Sequence, residues 1–181
     1  LRATALVIGL RKGEALGSRW QDVDLESGTL WVRTTPQRNK DGLTLTEPKT
    51  ARSRRTIRLP KQTIVRLRLH RARQQQERLL AGRHCQETGL VFTTTIGTPI
   101  DPRNALRHFK DALVRAGLAT RRFHDPRHTC ASLLLAQGIH TRVVMELLGH
   151  STIAVTMDTY SHVMPELHTD AASKMDAVLS D

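Results

Sequence analysis

The feature that most restricts the fold is the punctuation of the second half of the chain. Asp101-Pro102 and Asp125-Pro126 each place a carboxylate before a proline. That pairing opens helices, because the acid can cap and proline at the first helical position loses nothing by lacking an N–H. Glycines close the same segments at Gly117, Gly138 and Gly149. The spacing predicts helices from Pro102 to Gly117, from Asp125 to Gln137 with Arg127 in the first turn, and from Thr141, read as the cap, through Leu148. Ser151 caps one more to about Asp158. Pro165 introduces a last amphipathic helix with Leu167, Ala171, Met175, Val178 and Leu179 on or near one face.

The first half reads differently. Leu1 to Leu10 is apolar and helical up to a turn at Gly9, and a second helix runs from Arg11 to about Trp20. Thr29–Thr35, Leu43–Thr50 and Arg55–Leu59 are β-prone stretches, two of them alternating, with Pro36–Gly42 as a loop between the first two. Lys61 to Leu80 returns to helical spacing. The expected fold class is α+β: a mostly helical single domain, 1–165, with a small three-stranded antiparallel sheet at one edge, followed by a helical tail, 166–181.

Charge narrows the partners. Lys and Arg number 28 against 17 Asp and Glu, a net +11. Such an excess favours a polyanion, because neutralising phosphates releases counterions. Ten of the basic residues fall between Pro48 and Gln76, a stretch without an acid. Arg52, Arg54, Arg55 and Arg58 in this strip are the candidate DNA contacts. Two cysteines, Cys85 and Cys130, make no disulfide framework and fit a reducing compartment. No apolar run has membrane-spanning length and no signal peptide is present, so a cytoplasmic location is expected, with no membrane partner. The start at Leu1, without methionine and inside a helix, suggests a fragment of a longer protein.

The chemistry concentrates between His124 and Tyr160. Tyr160 is the one tyrosine in the chain and follows Leu148-Gly149-His150 by ten residues. A phosphodiester transfer needs a nucleophile, a proton donor for the leaving oxygen, and cations around the phosphorus. Arginine suits the last role because its planar fork meets two phosphate oxygens at once. A zinc site is disfavoured: His124 and His128 have helical i, i+4 spacing, but no glutamate stands between them, Pro126 interrupts the spacer, and no cysteine pair lies nearby. No metal is expected.

Five separated motifs resemble the catalytic domain of tyrosine recombinases, the phage integrase family. They are Gly9-Leu10-Arg11-Lys12-Gly13-Glu14 with Trp20-x-Asp22; Pro48-Lys49-Thr50 with Arg54-Arg55-Thr56-Ile57; His124-Asp125-Pro126-Arg127-His128-Thr129; Leu148-Gly149-His150-Ser151; and Thr159-Tyr160-Ser161-His162. The resemblance spans nearly the whole chain. It implies a site-specific recombinase that cuts and rejoins DNA through a 3′-phosphotyrosyl ester, without cofactor. In that scheme Tyr160 is the nucleophile, Arg11 and Arg127 hold the non-bridging oxygens, and Lys49 protonates the leaving 5′-oxygen. His124 and His150 assist proton transfer and bind the phosphate. Glu14 and Asp22 are support, Glu14 lying one helical turn from Arg11. His128 and His162 are read as neighbours or packing residues.

The partners implied are double-stranded DNA and, for the full-length protein, a homotetramer on DNA. The core-binding domain of relatives has no counterpart here, and the tail 166–181 either docks on its own domain or is exchanged between protomers. Pro126, Ser18 and Ile8 depart from residues common in the family but remove no catalytic group. Two rival functions use the same features: relaxation of DNA by a type IB topoisomerase, and a DNA-binding regulatory module without catalysis.

Overall fold

The structure, a computed structural model, describes residues 8–40, 42–46, 54–150, 152, 175, 176 and 179. Most of the helices expected over 1–10 and 151–158, most of the tail, and Lys49, Arg52 and Tyr160 lie outside these residues.

The described residues form helices and two small antiparallel sheets. Helix α1 spans Lys12–Gly17, and a short 3-10 turn at Trp20–Asp22 leads into strand β1, Val23–Asp24. Strands β2 (Thr29–Val32), β3 (Thr35–Asn39), β4 (Gly42–Thr46) and β5 (Arg55–Arg58) follow. The helices α2 (Lys61–Ala81), α3 (Pro102–Arg115), α4 (Asp125–Ala136) and α5 (Thr141–Leu148) complete the order. A three-stranded sheet is present in the order β1-β2-β5, and β3-β4 is a separate hairpin.

The strands are thus divided differently from the sequence reading, which ran Thr29–Thr35 as one strand and paired Leu43–Thr50 with it. The chain leaves the sheet at Arg33-Thr34. The Thr34 hydroxyl donates to the Gly17 carbonyl at 2.5 Å. A Cβ on Gly17 would stand 2.6 Å from the Thr34 carbonyl oxygen, so the missing side chain lets α1 press directly on the chain entering β3. That contact draws β3 onto α1 and away from β2. The hairpin also tolerates Pro36, which has no N–H to give to a ladder.

Two apolar clusters hold the fold. One packs the sheet and α2, with Leu30, Val32, Ile57, Leu67, Val91 and Phe92 among its buried members. Gln74 pins α2 to the following extended segment: it accepts from Trp20 Nε1 at 2.7 Å and donates to Thr93 Oγ1 at 2.8 Å. The second cluster joins α4 to α5 through Ala131, Leu135, Val144 and Leu148. Asp101 caps α3 as expected, accepting from the Arg103 N–H at 2.7 Å. The caps of the next two helices differ. Asp125 is the first residue of α4 and its carboxylate accepts from the upstream Arg122 N–H at 2.8 Å. His140, not Thr141, caps α5, with Nδ1 accepting from the Arg142 N–H at 3.1 Å. An imidazole nitrogen meets the need for an acceptor at a helix N-terminus as an oxygen does.

Candidate functional site

The site is built around the C-terminus of α5. The last carbonyls of a helix have no partner inside it and carry the negative end of the helix dipole. Here three consecutive carbonyls each take a different arginine. Leu147 O accepts from Arg55 Nε at 2.7 Å, Leu148 O from Arg127 Nη2 at 2.5 Å, and Gly149 O from Arg11 Nη2 at 2.7 Å. The three guanidinium groups come from β5, α4 and the N-terminal cap of α1. Arg127 also donates to the Gly9 carbonyl at 2.6 Å, so it ties the chain before α1 to the end of α5.

The turn that offers these carbonyls depends on Gly149. Its φ is +66°, the left-handed conformation that ends helices, and a Cβ there would lie 3.0 Å from Arg55 Nη1. The turn closes with the Gly149 and His150 N–H groups donating to Glu146 O and Met145 O, both at 3.1 Å.

Glu14 is the counter-charge. Its carboxylate accepts from Arg55 Nη1 at 2.8 Å and Nη2 at 3.0 Å, from Arg11 Nη1 at 2.8 Å, and from the Arg11 N–H at 2.8 Å. The Glu14 and Arg55 side chains are 2% and 7% exposed, and that of Arg11 is 35% exposed. Burial pushes the Glu14 carboxyl up, but the hydrogen bonds and charge of Arg55 and then the bonds from Arg11 outweigh it, and the pKa falls to about 2. Glu14 is therefore ionised at every physiological pH.

The histidines answer the same field with the opposite sign. His150 is lowered to about 4, first by burial, then by the charges of Arg127 and Arg11. His124 is lowered as well, first by loss of water around its ring, then by Arg127, His128 and Arg11. His150 is neutral at pH 7, and the same field disfavours the charged form of His124. One carboxylate and the dipole of a short helix face three guanidinium groups, so the cluster retains positive potential. A tetrahedral oxyanion of phosphate type suits it: the arginines supply charge and fork geometry, and neutral imidazoles can donate a hydrogen bond or accept a proton.

The structure brings Arg11, Glu14, Arg127, His124 and His150 into this one cluster. Asp22 goes elsewhere. It is buried, its ionic partner is Arg33 at 3.5 Å, and its Oδ1 has no hydrogen bond. Arg54 and Arg58 are exposed, Arg58 donating to Thr29 Oγ1 at 2.8 Å. Arg55 departs from the expectation of a DNA-facing cation and lies inside the cluster. Its signal was present in the alternation of β5: Arg55 is in phase with Ile57, which is buried, while Thr56 and Arg58 point outward.

Comparison with known proteins bears on the family and the fold. The pattern of the family described as "Phage integrase family" matches residues 3–166. A tyrosine recombinase XerC-like protein of Caldanaerobacter subterraneus is 40% identical over 179 residues, covering 92% of this chain and 46% of the relative. The ICEBs1 integrase of Bacillus subtilis is 32% identical, covering 97% of this chain and 47% of its own length. The chain thus spans about half the length of the curated relatives it matches. Among solved structures, the Tn1549 transposon integrase in complex with transposon right-end DNA superposes with a TM-score of 0.79 at 19% identity, over 94% of this chain and 56% of that one. The catalytic domain of bacteriophage HP1 integrase gives 0.55 at 22% identity, over 94% of this chain and 76% of that one. At these identities the solved structures speak for the fold, and the sequence matches decide the family: the chain belongs to the phage integrase family of tyrosine recombinases.

Proposed function

We propose that this chain carries the strand-cutting and rejoining site of a site-specific DNA recombinase. One observation carries the reading: arginines from α1 and α4, far apart in sequence, meet at consecutive carbonyls beside His150. Arg11 and Arg127 hold the non-bridging oxygens of the scissile phosphate. The Tyr160 hydroxyl attacks phosphorus, its proton leaving to a nearby base, and the bond to the 5′-oxygen breaks. Lys49 gives that oxygen its proton. The product is a 3′-phosphotyrosyl ester and a free 5′-hydroxyl, and attack by a partner strand's 5′-hydroxyl reverses the step. Because the ester conserves the phosphodiester bond energy, the exchange needs no nucleotide. His124 and His150 donate hydrogen bonds to the phosphate and relay protons. Duplex DNA is the substrate, Arg52, Arg54 and Arg58 contact its backbone, and the full-length protein acts as a tetramer.

The Tn1549 transposon integrase, which shares this fold, is seen in complex with transposon right-end DNA, and that supports the choice of substrate. The test is a nicked suicide DNA substrate, in which the cut strand cannot be religated. The wild-type protein should form an adduct that survives denaturation, and Tyr160→Phe should form none. An adduct persisting in Tyr160→Phe would refute the role of that hydroxyl. Relaxation of supercoiled plasmid without exchange between two sites would instead indicate a topoisomerase.

A further inference from the structure

Arg55 is the arginine of the cluster that the reaction scheme does not use. Among the described cations of its strip it is also the most enclosed. Its Nη1 and Nη2 engage the two oxygens of Glu14 at 2.8 and 3.0 Å, and its Nε donates to the Leu147 carbonyl at 2.7 Å. One planar group therefore joins α1 to the end of α5 from the edge of β5. The same Glu14 carboxylate holds Arg11, and the same turn presents Gly149 O to Arg11 and Leu148 O to Arg127. Gly149 packs against the guanidinium, where a Cβ would stand 3.3 Å from Cζ.

We propose that Arg55 is a positioning residue for the cutting site: it clamps Glu14 to the Leu147 carbonyl and so fixes the distance between Arg11 and the Leu148–His150 turn. The inference rests on the reading that this cluster holds the scissile phosphate. A DNA contact is the competing role, and a side chain 7% exposed is poorly placed for it. The clamp requires arginine in particular. A lysine keeps the charge, but its three N–H bonds diverge from one nitrogen, so it cannot offer a parallel pair from two nitrogens to both carboxylate oxygens while also reaching the Leu147 carbonyl.

The experiment compares wild type with Arg55→Lys and Arg55→Gln by two independent measurements. The first is amide hydrogen exchange. Loss of the clamp should speed exchange at Gly149 and His150, while Val91 and Leu135 in the two cores keep their protection. The second is adduct formation on the nicked substrate. Arg55→Lys should lower the rate at saturating DNA by about 10²-fold, the cost of a misplacement of order 1 Å, with the half-saturating DNA concentration and its salt dependence unchanged. Unchanged exchange at Gly149 and His150 overturns the proposal, and so does an unchanged rate. A weaker, flatter salt response marks Arg55 as a phosphate contact, and equal acceleration of exchange across both cores marks it as a general structural residue; either result also overturns it. If the wild-type protein forms no tyrosine-linked adduct, the functional reading fails, and the exchange comparison still decides whether Arg55 holds the turn. Arg55→Lys preserves the buried charge pair, which keeps the test open should Arg55→Gln fail to fold.

Discussion

The Glu14 carboxylate shows how one residue sets the electrostatics of the site. It is 2% exposed and faces two guanidinium groups, so removing its charge leaves Arg55 buried and uncompensated. Breaking a buried pair in this way costs about 3–5 kcal/mol, and Glu14→Gln should lose roughly that much in urea unfolding at neutral pH. The pH dependence follows from two depressed values. The Glu14 pKa falls from 4.5 to about 2, so the unfolded chain binds its proton first and the stability from Glu14 disappears as pH drops through that window. His150 falls from 6.5 to about 4, and here too the unfolded state takes the proton first, so stability declines as pH drops below 6.5. Wild-type unfolding should show both limbs, and His150→Asn should weaken the upper one, to which His124 and His70, also lowered, contribute. A phosphodiester bound in the cluster as proposed would offset part of the positive field at His150 and raise its pKa. DNA binding should therefore take up protons and tighten as pH falls below neutrality, an uptake readable by calorimetry in buffers of different ionisation heat and reduced in His150→Asn.

At the scale of elements, the site depends on two places where a side chain is absent. Gly17→Ala would set a Cβ 2.6 Å from the Thr34 carbonyl oxygen, a backbone atom that cannot swing aside. Helix α1 must then lift from the β3-β4 hairpin, and Arg11 moves with it. We expect Gly17→Ala to destabilise by about 1–3 kcal/mol, the usual range for overpacking, and to slow adduct formation beyond what the lost stability explains. The rate per folded molecule, taken from adduct yield corrected by a thermal melt, checks this. The helices themselves were legible in the sequence: Asp101-Pro102 and Gly149 stand where α3 begins and α5 ends. Strand partnership was less so. The alternation of Thr29–Thr35 does not reveal that the chain breaks at Arg33, because the cause lies in Gly17, on a different element.

For the whole molecule, the arginines are also the seam between two apolar clusters, one under the sheet and one between α4 and α5. Arg11, Arg55 and Arg127 all bridge toward the α5 turn, so the groups proposed to hold the phosphate also help join the halves of the fold. The net charge of +11 acts over a longer range and would draw the proposed DNA substrate to the surface before any specific contact. Each phosphate contact contributes about −0.9 to the slope of log affinity against log salt. Neutralising Arg54 and Arg58 together should flatten that slope by about one to two contacts in fluorescence titrations; an unchanged slope would make them ordinary surface cations.

The sequence by itself determined the chemical inventory and the local punctuation: a lone tyrosine, the arginine and histidine motifs, and helix starts and stops written in neighbouring residues. Only the tertiary structure decided which cation of the basic strip is withdrawn from solvent. Arg55 and Arg54 are adjacent and chemically identical, yet Arg55 reaches Glu14, 41 residues away, and Leu147, 92 residues away. Burying a charge is tolerable only where a counter-charge and acceptors are already arranged around it, and those belong to elements that local sequence does not bring together.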